Sequence, residues 1–539
     1  MDISQVSTKS LDHLGLVSTL CKELGIADFI DSRLPKQPSQ SHISHGELVV
    51  AMILNGLGFV SRTLQMIPAY FSDKPVERLI GEGISAKHIN DDSLGRCLDT
   101  LYDLGVSSTF QKLSEKVISH LELPCNALNL DSTSMHVDGK YKSEEDDDES
   151  SVIKITKGYS RDHRPELNQV IINLITENQA GIPVYMQACS GNTNDSEGFK
   201  RIVKSHISSL KDAYENRYLI GDAALYTPET ILLLENQKKL FITRVPQKIK
   251  QAKEIISSLK GSKFSFISEG YNGFWVESSY ANVSQKWLVI KSDQAYKREI
   301  ITLDNKLKKE SLQAIKDFEK LSKQAFGCEG DAIKTLEIWK KKHPALSISN
   351  EKITTAKTYS KSGRPKKGEE GIPVYFIVGN LSSTLSYREI KQQEKGIFIL
   401  SSNDCSDELD MLSMLQNYKS QQSVERGFRF LKSPDFLTSS LFLKKPERIE
   451  ALLMVMTSCL MIYAALEHLI RKKLAEKELY FQCMKNKPTQ KPTARWVFQC
   501  FSGIEELCIN DQQKIVVNIK SRHEMILNFL GQQYRDFYS

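Results

Sequence analysis

Between residues 127 and 244 the hydrophobic period of the chain switches several times, and the order of those switches limits the folds open to it. Ala127 to Val137 alternates Leu, Thr, Met and Val with polar residues and reads as a strand carrying Asp131 and then His136. The acidic run Glu144 to Glu149 follows, expected as a solvated hairpin tip. Asn168 to Thr176 and Ile182 to Cys189 read as two further strands, joined by a turn at Asn178 to Gly181. Asp195 opens a helix running to Leu210, and Arg217 to Ala223 is a fourth strand that contains Asp222. Thr227-Pro228-Glu229 starts another helix, with a capping residue and a proline at its first position. Leu240 to Arg244 is a fifth strand.

The order is β-β-β-α-β-α-β-α, with one carboxylate in the middle of the first strand and another at the end of the fourth. It predicts an α/β class: an RNase H-like mixed sheet flanked by helices. At 539 residues the chain exceeds the ~250–300 at which a single core stops growing, so several domains are expected. Residues 1–120 read as a helical N-terminal domain, with apolar positions at helical spacing through Leu48 to Leu54 and a second helix starting near Asp91. A turn at Gly81 to Ile89 would make a helix-turn-helix there. Residues 121–255 hold the first part of the core, and residues 256–400 read as an insertion. In that insertion Phe264 to Ser292 suggests antiparallel strands, Arg298 to Lys342 a charged helical stretch, and Ile372 to Val378 and Gly396 to Ser401 further strands. Residues 401–475 complete the core, and 476–539 form a C-terminal helical region.

With 40% hydrophobic and 26% charged residues the composition is that of a soluble globular protein. The ten cysteines contain no C-x-x-C pair and no secretory signal precedes them, so they read as reduced and the protein as cytoplasmic. Ala451 to Ile470 is long and apolar enough to span a membrane, yet it contains Glu467 and His468 and reads as a buried core helix. The net charge is +6, with the positive excess late in the chain, at Arg426, Arg429, Lys432, Lys444, Lys445 and Arg471 to Lys473. A polyanion would meet the protein there.

The segment YKSQQSVERGFRFLK, Tyr418 to Lys432, is the richest in chemistry. On one continuous helix Tyr418, Gln421, Glu425, Arg429 and Lys432 fall on one face over ~21 Å, while Val424, Gly427, Phe428 and Leu431 face a core. A carboxylate set among a phenol, an amide, a guanidinium and an ammonium suits a phosphodiester.

The chain resembles the DDE transposases of bacterial insertion sequences, in the group whose signature around the last acid is Y-x2-R-x3-E-x6-K. Tyr418, Glu425 and Lys432 reproduce that spacing, and Gln421 stands where the group has Arg. The likeness extends to LDSTSMHVDG around Asp131, GYSRDHRPELNQ from Gly158 to Gln169, SGNTNDSEGF from Ser190 to Phe199 and IGDAALYT around Asp222. It implies that Asp131, Asp222 and Glu425 are catalytic and hold two Mg²⁺ ions, with Mn²⁺ as a substitute. Three crowded carboxylates do require intervening cations. It further implies end cleavage and strand transfer on double-stranded DNA, recognition of the ends by the N-terminal helices, and a homodimer assembled on DNA. No membrane is implied as a partner. Tyr418 and Lys432 are the expected phosphate holders, with Gln421 a weaker contact that Arg429 partly replaces. Arg426, Arg161 and Arg164 are further candidate DNA contacts, the last two on a segment between the first two strands. Two alternatives remain open: an RNase H-like nuclease without strand transfer, and a DNA-binding protein of the same fold that has lost catalysis.

Overall fold

The computed structural model describes residues 6–34, 42–59, 62–137, 139, 141, 152–213, 217–259, 263–359, 370–433, 443–509 and 513–539. The acidic run Glu144 to Glu149 lies outside these residues. The chain divides into two compact units. The first comprises Met1–Arg244, Ser279–Gln285 and Ser402–Ser539; the second comprises Val245–Ser278 and Lys286–Ser401.

The first unit begins with strand β1 (Val6–Ser10) and helices α1 (Leu14–Glu23), α2 (Ile26–Asp31) and α3 (His45–Leu57). Ser44 caps α3 through a reciprocal pair of hydrogen bonds with Glu47. The short helices α4 (Ile67–Phe71) and α5 (Val76–Leu79) precede α6 (Asp91–Asp103) and α7 (Val106–Leu121). The expected helix-turn-helix is not formed. Only the single turn of α5 lies before Gly81, and a 3₁₀ turn at Ala86–His88 leads into α6, so two full helices do not flank the turn.

The core sheet follows, with strands β2 (Ala127–Val137), β3 (Asn168–Glu177) and β4 (Pro183–Ser190), helix α8 (Asp195–Ala213), strand β5 (Tyr218–Gly221), helix α9 (Pro228–Asn236) and strand β6 (Leu240–Arg244). Their order across the sheet is β4-β3-β2-β5-β6. The pairs β2–β3 and β3–β4 are antiparallel, whereas β2–β5 and β5–β6 are parallel. This is the RNase H-like arrangement that the sequence predicts. A parallel pair needs a crossover, and the helices at both Asp195 and Pro228 supply one. Along β2 nine of the eleven residues are buried, and the two half-buried ones are Asp131 and His136. A strand covered on both faces thus opens to solvent at its acid.

The second unit holds α10 (Lys250–Ser257), β7 (Ser265–Ser268), most of β8 (Tyr271–Tyr280) and β9 (Val283–Ser292), α11 (Asp293–Lys323), α12 (Glu329–Lys342), β10 (Leu346–Thr358), β11 (Ile372–Ser383), α13 (Leu385–Gln393) and β12 (Ile397–Ser402) up to Ser401. The charged helical stretch from Arg298 to Lys342 falls in two helices, α11 and α12, packed on the antiparallel β10–β11 pair. Their shared core is Phe318, Leu321, Phe326, Leu336, Trp339 and Ile377.

The rest of the first unit is α14 (Met411–Ser420), α15 (Gln422–Leu431), α16 (Pro446–Glu476), β13 (Phe481–Gln482), β14 (Pro488–Thr489), α17 (Ala494–Cys500), β15 (Glu505–Ile509), β16 (Gln513–Val517), α18 (Ser521–Leu530) and α19 (Gln532–Phe537). The C-terminal region is therefore mixed, and β15 sits between β1 and β16 in an antiparallel sheet. The long apolar helix α16 is one that length and composition would allow across a membrane, but 83% of its most apolar window is buried. It packs on α1, α3, α6, α7 and β4, which suits a helix apolar on every side.

One acid of α16 is set among apolar surroundings. Burial pushes the Glu450 carboxyl from its ordinary 4.5 up to about 7. The folded chain therefore holds this proton more tightly than the unfolded one. Its stabilising effect is complete below pH ~4.5 and is lost as the pH rises to ~7. Glu450→Gln should leave the urea-unfolding midpoint unchanged near pH 4 and raise it at pH 8. Equal midpoints at pH 8 would refute the assignment.

Candidate active site

The register of β2 against β5 builds the centre of the site. Leu130 pairs with Gly221, so the next residues along, Asp131 and Asp222, emerge side by side from strands ~4.8 Å apart. Ser132 N–H donates to Asp131 Oδ1 at 2.7 Å, and Ala224 N–H donates to Asp222 Oδ1 at 2.9 Å. The Thr243 hydroxyl donates to the Asp222 carbonyl at 2.7 Å, tying the end of β5 to β6. Burial pushes the Asp131 carboxyl up to about 7, and the charges of Asp222 and Asp195 push in the same direction. Burial likewise raises Asp222, again with Asp195 adding to the rise. Backbone N–H groups and the Arg161 guanidinium oppose both shifts without cancelling them.

Arg161 reaches this centre from the segment between β2 and β3. Its Nη2 donates to Asp195 Oδ2 at 2.5 Å and to Ser132 Oγ at 2.6 Å, and its Nη1 lies 3.6 Å from Asp131 Oδ1. Ser132 Oγ in turn donates to Asp195 Oδ1 at 2.6 Å. Two motif glycines make this placement possible. A Cβ on Gly158 would lie 2.1 Å from the Gly191 carbonyl oxygen, and one on Gly191 would lie 2.1 Å from that of Gln169. The three segments are laced by Gly191 N–H to the Lys154 carbonyl, Gln169 N–H to the Thr156 carbonyl, and Gln169 Nε2 to the carbonyls of Tyr159 and Gly191. Arg164, by contrast, is exposed and paired with Glu166.

The segment from Tyr418 is not one continuous helix. It breaks at Gln421, which ends α14 and precedes α15. The break is held to β2: Ser420 Oγ donates to Asn129 Oδ1 at 3.0 Å and Gln421 Nε2 to the Leu130 carbonyl at 3.5 Å. Gln421 is accordingly buried. Tyr418 lies before the break, and burial raises its phenol, with the nearby Asp222 and Glu425 charges adding to the rise and Arg244 opposing it. Glu425 is exposed on the first turn of α15, while Val424, Gly427, Phe428, Phe430 and Leu431 bury the opposite side. Lys432 caps the end of α15, and its Nζ meets the Asp162 carboxylate at 2.7 Å. Arg426 and Arg429 are exposed.

The oxygen-only donors at Asp131 and Asp222 suit a hard divalent cation. Among the described residues, however, no three His, Cys, Asp or Glu side chains are gathered to hold a metal ion. Asp195, Ser132 and Arg244 were not singled out by sequence reasoning. The SGNTNDSEGF motif carried Asp195, but its helix-opening position concealed its approach to Asp131.

The family described as Transposase DDE domain matches residues 126–462, more than half of the chain. The chain belongs to that DDE transposase family. A domain of unknown function, DUF4277, matches residues 6–115 of this transposase. No curated protein matches it. Among solved structures, the cryo-EM structure of a piggyBac transposase synaptic complex with hairpin DNA matches at 11% identity and a TM-score of 0.38, over 92% of this chain and 82% of that one. That likeness is too low to argue from.

The glycine contacts give a direct test of how the transposase holds Arg161. Gly191→Ala should destabilise the fold by ~1–3 kcal/mol or more, because the added methyl meets backbone that cannot yield as a side chain would. An unfolding midpoint equal to that of the unmodified protein would show that the close approach does not hold in solution.

Proposed function

We propose that the protein cleaves DNA at the ends of an insertion sequence and transfers the freed strand into target DNA, in a divalent-metal-dependent reaction at Asp131, Asp222 and Glu425. The observation that carries the reading is the β2–β5 register, which sets Asp131 beside Asp222, with Tyr418 sensing both Asp222 and Glu425. Two Mg²⁺ ions, or Mn²⁺ in their place, would be held by the three carboxylates and would supply Lewis-acid activation and charge neutralisation at phosphorus. Because no three acids are gathered among the described residues, this reading requires Glu425 to close on the two aspartates when cation and DNA bind. Its position on an exposed first turn of a short helix leaves it free to do so.

The chain's own residues would then work as follows. Asp131 and Asp222 hold the reacting phosphate's surroundings at fixed spacing, because both rise from paired backbone. Tyr418 and Lys432 flank Glu425 along the DNA and position phosphates without reading bases. Lys432 would exchange the Asp162 carboxylate for a phosphate oxygen. Arg161 would hold Asp131 from behind through Ser132 and Asp195. The partner is double-stranded DNA, bound by a homodimer in the cytoplasm with one transposon end per protomer.

Purified protein given DNA that carries the flanking ends of its own gene, with Mg²⁺ or Mn²⁺, should cut and join that DNA. Glu425→Gln should do neither. Cutting without joining would reassign the protein as a nuclease, and end binding without cutting would make it a silent DNA-binding protein. By calorimetry with Mn²⁺ alone, Asp131→Asn should abolish binding and Asp195→Asn should weaken it ~10–100-fold, as loss of a ligand's supporting partner does. Unchanged Mn²⁺ affinity in Asp131→Asn would exclude that residue as a ligand.

A further inference from the structure

A cavity of about 470 Å³ in the first unit lies between α15, α16 and the start of α17, on a side of α15 that the active site does not use. Four guanidinium groups line it, Arg426 and Arg429 from α15, Arg471 from α16 and Arg495 from α17. Among the described residues the only carboxylate lining it is Glu467, and that group is already engaged. Its Oε1 meets Arg471 Nη2 at 2.5 Å and its Oε2 accepts from Ala494 N–H at 2.9 Å. Among the described residues neither Arg426 nor Arg429 has an ion-pair partner. His468, also on the wall, is pushed below its ordinary value by burial and then by the Lys472 and Arg471 charges.

Four guanidinium groups around one cleft, two of them (Arg426 and Arg429) without an ion-pair partner among the described residues, attract anions, and the planar fork of arginine matches the oxygens of a phosphate. Arg426, Arg429 and Arg495 are exposed, so the cleft opens to a long ligand as well as to a small one. Its place on α15 selects between them. At about 100° per residue, Arg429 lies about 40° around the helix from Glu425 and about 6 Å along it, and Arg426 lies about 100° around. Arg429 thus stands between the carboxylate and the cleft.

We infer that this cleft is a second phosphodiester-binding site, which grips the DNA backbone continuing from the bond placed at Glu425. The inference rests on the proposed transposition reading and adds to it a track formed with α16 and α17. The contacts are to backbone, so they stabilise binding regardless of sequence.

The test is DNA affinity of the full-length protein as a function of salt, by fluorescence anisotropy with an end-bearing duplex from about 50 to 200 mM KCl. The double variant Arg426→Ala/Arg495→Ala should bind at least about tenfold more weakly at the lowest salt. Its slope of log affinity against log salt should be shallower by about 1.8, two phosphate contacts at about 0.9 each. Arg426→Lys/Arg495→Lys should keep most of the slope. The single variant Arg426→Ala, expected to lose about 0.9, covers the case in which the double variant fails to fold. An unchanged slope with intact DNA binding overturns the cleft alone. So does a thermal midpoint that inorganic phosphate raises in the unmodified protein but not in the variant, if the DNA slope is unchanged, because the cleft then takes free phosphate only. Absence of DNA binding by the unmodified protein overturns the transposition reading itself.

Discussion

The parallel pairing of β2 with β5 forces two carboxylates together at the edge of a buried sheet. Backbone hydrogen bonds set this neighbourhood, and the side chains have to accept it. With Leu130 opposite Gly221, Asp131 and Asp222 cannot separate without breaking the pairing. The cost appears as proton affinity: burial and the neighbouring acids bring Asp131 to about 7, far above an ordinary aspartate. A protein that keeps such a pair needs positive charge nearby, and much of the surrounding structure brings it there.

Part of that charge comes from within. Arg161 turns inward onto Asp195, Ser132 and Asp131, and it does so because Gly158 and Gly191 let three backbone segments pass closer than any side chain would allow. Arg161, shared by Asp131 and Asp195, and Arg244, acting on Asp222, give two guanidinium groups to three aspartates and leave the set net negative. The remaining deficit falls at Asp131 and Asp222, and a hard divalent ion would offset it. Asp195 therefore acts on the site at one remove, by fixing the arginine and the serine that hold Asp131.

How much of this was legible in the sequence follows from which forces set each part. The five core strands and their order were legible, since strands buried in a sheet betray themselves by composition and period, and the helices between them by their caps. So were the place of Asp131 within β2 and that of Asp222 at the end of β5, although the strand stops one residue earlier, at Gly221. The break at Gln421 was not, because it is set by Ser420 and Gln421 bonding to Asn129 and Leu130 almost three hundred residues away in sequence. A helical wheel drawn through Tyr418 to Lys432 assumes a continuity that these tertiary bonds remove. The C-terminal strands escaped notice for the same reason, since β15 takes its central place from pairing with β1 at the other end of the chain. Arg161 reads in the sequence as a candidate DNA contact between the first two strands, and only the folded chain shows that it faces inward onto Asp195 and Ser132.

Helix α15 carries the consequence furthest. Its buried side packs on α16 at Gly427, where a Cβ would come within 2.9 Å of the Leu460 side chain, so the helix lies close against the core. On that helix Glu425 is exposed and Arg426 lines the cleft with α16 and α17, so a movement of α15 that carries the acid carries the arginine with it. The same backbone therefore fixes the angle between the acid that would meet the scissile phosphate and the arginines that would meet the phosphates beyond it. An acid proposed to attract cations and a basic cleft proposed to attract DNA would cancel each other if they shared one face. Spread about 100° apart on a single short helix, they keep opposite potentials within one strand's reach.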